Sequence, residues 1–152
     1  MGSLPVRPSC MILIEASSAA YPEGMLPLQP LTLVMLYEIH DITRFPRVQD
    51  FVSYARLVKC ARESAGRRYQ SSGKKIGNAH LKWAFSEAAV LFLRNNPEGM
   101  AYKKRLEKKH GKAKALTIRA HKLGRATYYM LKRERAFDMN KFLAGGSGQA
   151  RH

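Results

Sequence analysis

Between Arg56 and Arg135 the chain places 22 lysines and arginines against only five glutamates, a net charge of +17. Before that block, Met1 to Ala55 carries three arginines against five acids, and after it only Lys141 and Arg151 face Asp138, so the whole 152-residue chain stands at +16. A field of that size opposes compaction and attracts polyanions, of which nucleic-acid backbone is the commonest in a cell. A fold is still within reach, because 45% of the residues are hydrophobic. At about 100–200 residues per domain, the length allows one small domain and excludes a two-domain enzyme with its own cofactor fold.

Several function classes fall away on residue content. Two cysteines, Cys10 and Cys60, make neither a disulfide framework nor a four-thiolate zinc site. The five histidines, His40, His80, His110, His121 and His152, form no ligand pair at helical spacing, so no metal site and no bound cofactor are expected in this chain. There is no Gly-x-x-x-x-Gly-Lys-Ser/Thr loop and no Gly-x-Gly-x-x-Gly, which disfavours a nucleotide-dependent enzyme. The run Cys10 to Ile14 is too short for a secretory core or a membrane span and is ended by Glu15. A cytoplasmic, nucleoid-associated location with no membrane partner follows as the expectation.

Helical periodicity accounts for most of what remains. Met1 to Pro27, with four prolines, reads as an irregular leader. Leu31, Val34, Met35 and Ile39 predict a helix over Pro30–His40, and Val48, Phe51, Val52, Ala55 and Leu57 a second over Val48–Leu57. Asn78 is a plausible cap for a third, whose apolar residues Leu81, Trp83, Phe85, Ala88, Leu91 and Phe92 surround it and predict the central core helix. Asn95-Asn96-Pro97 ends it, a basic helix runs from Met100 to His110 and is stopped by Gly111, and a long helix covers Ala113–Arg133. Gly124 in that helix costs about 1 kcal/mol relative to Ala and implies a close helix crossing. Phe137 to Leu143 reads as a short docking segment. No strand pattern and no repeat are evident. The expected fold is mainly α, one helical domain over residues 28–143 between a leader, 1–27, and a flexible tail, 144–152.

From Lys59 to Lys75 the periodicity vanishes and Gly, Ser and cations take over, which predicts an exposed basic loop. Ser64, Ser71 and Ser72 lie there among Arg62, Arg67, Arg68, Lys74 and Lys75. A serine hydroxyl attacks phosphorus only with an activating group and cations to neutralise phosphate oxygens, and the loop supplies the cations. The same serines could equally cap turns or bind phosphate by hydroxyl and backbone donors. Lys82, Lys103, Lys104, Lys108 and Lys109 extend the expected nucleic-acid-binding set onto the helices.

The ordered runs Tyr37-Glu38-Ile39-His40-Asp41-Ile42-Thr43-Arg44-Phe45-Pro46, Phe51 to Val58, and Gly73-Lys74-Lys75-Ile76-Gly77-Asn78-Ala79-His80 through Ala89 resemble the C-terminal domain of the insertion-sequence-one-ten family of transposases, particularly its eleven-eleven branch. The likeness continues through His110-Gly111-Lys112, Ala120-His121-Lys122-Leu123 and Ala136-Phe137-Asp138, covering about Leu31 to Leu143. The resemblance implies a DNA recombinase in two parts. An N-terminal RuvC-like domain binds metal through four acids, and the helical C-terminal domain supplies a serine that links covalently to DNA, guided by a structured RNA. By position that serine falls on Ser64, within Arg62-Glu63-Ser64-Ala65-Gly66. The implied partners are DNA, a guide RNA and full-length transposase subunits, with Mg2+ expected only alongside the metal-binding domain.

Two departures stand out. Where the family has a Pro-Gly-Ile-Gly-like hairpin this chain reads Leu26-Pro27-Leu28-Gln29-Pro30, and only Glu15 and Glu23 precede Glu38. The resulting expectation is a detached C-terminal half of a transposase, inactive alone. Against it stand a non-enzymatic DNA- or RNA-binding module and a small basic ribosome-associated protein. The last explains the charge but not the ordered resemblance.

Overall fold

The computed structural model describes residues 28–58, 61–64, 67–70, 77–94 and 96–144; the expected leader, the expected tail beyond Ala144, Ser71, Ser72, Lys74 and Lys75 lie outside them, while Ala144 itself is helical. Six α-helices follow one another among the described residues: α1 Leu28–Ile39, α2 Val48–Tyr54, α3 Ala79–Leu91, α4 Pro97–His110, α5 Lys112–Arg133 and α6 Met139–Ala144. A 3-10 turn, Ile42–Arg44, sits between α1 and α2. The mainly helical expectation holds.

The helix boundaries come from local chemistry. Pro30 lies in the first turn of α1, where its missing N–H is not needed, so the helix starts two residues ahead of the predicted Pro30. Helix α2 stops at Tyr54 instead of running to Leu57. Arg56 takes a left-handed φ of 54°, its N–H donates to the Ser53 carbonyl, and the Leu57 N–H donates to Val52. Those two bonds form a Schellman end, which swings Leu57 into the core at 5% exposure. The Asn-Pro pair read as a terminator also opens a helix: Asn96 Oδ1 accepts from Gly99 N at 3.0 Å and Pro97 occupies the first turn. Helix α4 therefore begins three residues before Met100.

Helix α5, not α3, is the centre of the bundle, because the 3-10 turn, α2, α3 and α4 all pack on it, while α1 covers α3. Leu81, Ala84, Phe85, Ala88 and Ala89 form one buried face of α3. Trp83, counted in sequence as part of an apolar girth, points the other way and is 53% exposed; Val90 does the same at 42%. Phe51 is fully buried, with its ring 5.3, 6.1 and 5.8 Å from those of Phe45, Phe85 and Tyr128. The Tyr128 hydroxyl lies 3.0 Å from the Phe45 carbonyl and 3.1 Å from that of Pro46, fastening α5 to the segment before α2. Gly124 is buried where α5 crosses α2 and the residues just after it, and a Cβ there would overlap Leu57 Cδ1, as the expected close crossing requires. Phe142 of α6 packs against Phe92 and Phe137 at 5.6 and 5.4 Å.

The stretch expected as a loop contains a two-stranded antiparallel hairpin, β1 Ala61–Ser64 and β2 Arg67–Gln70. Its strands are four residues long and polar, so they lack the apolar alternation by which a half-buried strand is read. The available signal was the spacing: Ser64 pairs with Arg67, leaving Ala65 and Gly66 between them in sequence, the length of a two-residue hairpin connection with glycine at its second position.

Candidate nucleic-acid interface

On the two sides of the basic stretch in sequence, the end of α2 and the pair Gly77–Asn78 meet, and Asn78 holds them together. The Asn78 N–H donates to the Tyr54 carbonyl at 2.7 Å, and its Oδ1 caps α3 by accepting from Leu81 N at 2.9 Å. Its Nδ2 donates to Glu38 Oε2 at 2.5 Å and lies 3.4 Å from the Tyr54 hydroxyl. One side chain thus ties the ends of α1, α2 and α3 together. Gly77 completes the closure with φ of 92°, and a Cβ there would meet the Tyr54 carbonyl at 2.6 Å. Arg44 roofs the junction, its guanidinium carbon 4.7 Å from the ring centres of both Phe45 and Tyr54. The Asn78 hydrogen bond and Arg44 together hold the Tyr54 phenol below its ordinary pKa, against burial and Glu38.

The hairpin, which lies between these two ends in sequence, carries four of the sequence-predicted residues. Ser64 ends β1 directly across from Arg67, Arg62 lies opposite Tyr69, and Arg68 lies opposite Glu63. Lys82 is exposed on the first turns of α3, after Asn78.

The second basic surface is on α4, whose buried face carries Gly99 and Tyr102. Lys104, Lys108 and Lys109 are exposed together with Arg105, at spacings of one, three and four residues that put all four on one side of the helix. Lys103 does not join them. It is half-buried on the opposite side, with Nζ 3.9 Å from Glu107 Oε1. Beyond Gly111, which turns the chain with φ of 79°, Lys112 and Lys114 are exposed at the start of α5. Sequence reasoning missed Arg105, although its i+3 and i+4 relation to Lys108 and Lys109 was legible. It also missed Arg119, Lys122 and Tyr102, which converge at the seam of α4 and α5. Nothing in the sequence distinguished these two cations from their solvated neighbours.

Among the described residues no group of three His, Cys, Asp or Glu side chains comes together to hold a metal ion. No helix of the described residues is long and apolar enough to cross a membrane.

The family model described as Transposase IS116/IS110/IS902 family matches residues 29–104, half of the chain. The chain belongs to this transposase family. The matched stretch runs from the first turn of α1 into α4 and takes in both Asn78 and the hairpin bearing Ser64. No curated protein and no solved structure matches the chain.

Proposed function

We propose that this transposase-family chain grips nucleic-acid backbone through the exposed side of α4 and the basic hairpin, and that Ser64 supplies the hydroxyl which attacks a DNA phosphate during transposition. The observation that carries the reading is the family match over 29–104, because it includes the hairpin whose register sets Arg67 opposite Ser64. In the step itself, Ser64 Oγ forms a bond to phosphorus and gives up its proton, the phosphorus–oxygen bond to one DNA strand end breaks, and the departing oxygen is protonated. Arginines suit such a site, since their guanidinium groups neutralise phosphate oxygens in bidentate fashion. The eleven-eleven branch of the family, guidance by a structured RNA and magnesium held by acids of a RuvC-like domain outside this chain complete the reading.

A binding role without chemistry rests on the α4 face alone, and one experiment separates the two. Purified chain is mixed with element-end DNA and magnesium, with and without the family's metal-binding domain, and covalent adducts are resolved on a denaturing gel. The expected outcome is binding but no adduct from the chain alone, an adduct when the metal domain is added, and its loss in Ser64→Ala with DNA binding intact. An adduct that survives Ser64→Ala moves the nucleophile elsewhere, with Ser71 and Ser72 next; an adduct from the chain alone overturns the assignment of the metal acids to another domain.

A further inference from the structure

Two cations stand against one buried tyrosine where α4 meets α5, and the charge of a third reaches it. Tyr102 is 4% exposed. Lys122 Nζ lies 4.7 Å from its ring centre and 3.4 Å from its hydroxyl, and the Arg105 guanidinium carbon is 5.9 Å from the same ring. The third cation, Arg119, is 4% exposed, and its Nε and Nη1 are buried with no hydrogen-bond partner among the described residues. Glu107, the acid whose charge reaches Arg119, has Oε1 3.9 Å from Lys103 Nζ and does not satisfy those two nitrogens. A guanidinium out of water with unmet donors is a cost that folded chains rarely carry without a reason.

We propose that Arg119, Lys122 and Arg105 form a phosphate seat at the α4–α5 seam, and that it takes a backbone phosphate from the nucleic acid held by α4. The seat rests on the nucleic-acid reading for the source of that phosphate. Its chemistry fits a tetrahedral oxyanion: Arg119 has two unused donor nitrogens, Lys122 is half-buried beside the Tyr102 hydroxyl, and Arg105 stands exposed on α4 within 5.9 Å of the same ring. Mutual strain points the same way. Burial, and then Arg105, lower the pKa of Lys122, and burial lowers that of Arg119, so the empty seat disfavours its own charges and an anion would relieve both. The Lys122 ammonium stands 4.7 and 4.8 Å from the Tyr102 and Phe142 ring centres.

The test is the melting of the full chain followed by circular dichroism, with low concentrations of inorganic phosphate titrated against chloride at equal ionic strength. The wild type should gain a saturable rise in melting temperature. Arg119→Met should lose that rise while melting higher than the wild type in chloride, because a flexible apolar chain replaces an orphaned charge. Arg105→Gln, at an exposed position, should also lose it and covers the case in which Arg119→Met does not fold. No saturable rise in the wild type, or an equal rise in both variants, overturns the seat. In a second arm, Arg119→Met should bind a short DNA duplex about tenfold more weakly, with a log K against log salt slope shallower by about 0.9. A phosphate effect lost in Arg119→Met with duplex binding unchanged would mean the backbone is not its source. If the chain binds no duplex but the phosphate effect is present and Arg119-dependent, the seat stands and the proposed function fails.

Discussion

Asn78 shows how much one residue can carry and how little of it a sequence displays. Its cap of α3 was readable, because an N-cap depends on the next three residues only. Its bonds to Glu38 and Tyr54, forty and twenty-four residues away, depend on tertiary placement and left no local trace. The same holds for charge. Arg119 and Lys104 are indistinguishable as letters in a basic block, yet one is buried and the other exposed. His121, half-buried on α5, offers a check at this scale. Burial, and then Arg125, hold its imidazole below the ordinary value of 6.5, so the folded state binds its proton less readily than the unfolded chain. Its stability contribution is therefore full above pH 6.5 and is lost as the pH falls toward and through the lowered folded-state value. Stability curves in urea at pH 8 and pH 5 should show His121→Gln losing less on acidification than the wild type. An equal or larger loss in the variant would show that the imidazole is not held neutral by its surroundings.

At the scale of elements, the reading from sequence located α1 to α5 but took α6 only for a docking segment, and the other errors fall at ends and faces. The end of α2 depends on a left-handed Arg56, a conformation that sequence favours for glycine, and the start of α4 on a dipeptide that serves two helices. The exposure of Trp83 was hidden because apolar spacing cannot tell which side of α3 has a neighbour. The hairpin was hidden because four-residue polar strands carry no alternation. The Gly124 crossing, by contrast, was legible, and it can be measured. Gly124→Ala gains about 1 kcal/mol of helix propensity but pushes a methyl into Leu57, an overpacking cost of about 1–3 kcal/mol; the net expectation is a loss of about 1 kcal/mol in chemical denaturation. Leu57→Ala removes the obstacle, so the double variant should be more stable than the sum of the single losses implies. Strict additivity would place the strain of Gly124→Ala somewhere other than Leu57.

For the whole molecule, the core of Phe45, Phe51, Phe85 and Tyr128, closed by α5, lies within the described residues. A chain beginning at Leu28 should accordingly keep the helical circular dichroism and cooperative melting of the full chain, and losing both would contradict the proposed domain of 28–143. Among the described residues the cationic row of α4 is exposed, and the proposed function has it grip nucleic-acid backbone without reading sequence. That claim is tested most directly by the salt dependence of duplex DNA binding, measured by fluorescence anisotropy for four proteins: wild type, Lys104→Gln/Lys108→Gln/Lys109→Gln, Lys103→Gln and Ser64→Ala. For the wild type, log K should fall linearly with log salt, by about 0.9 for each phosphate contacted. The triple variant should bind more weakly with a slope shallower by up to about 2.7, whereas Lys103→Gln and Ser64→Ala should stay close to the wild type. Absence of binding at low salt, a slope indifferent to the α4 lysines, or a loss in Lys103→Gln as large as in the triple variant would contradict the account.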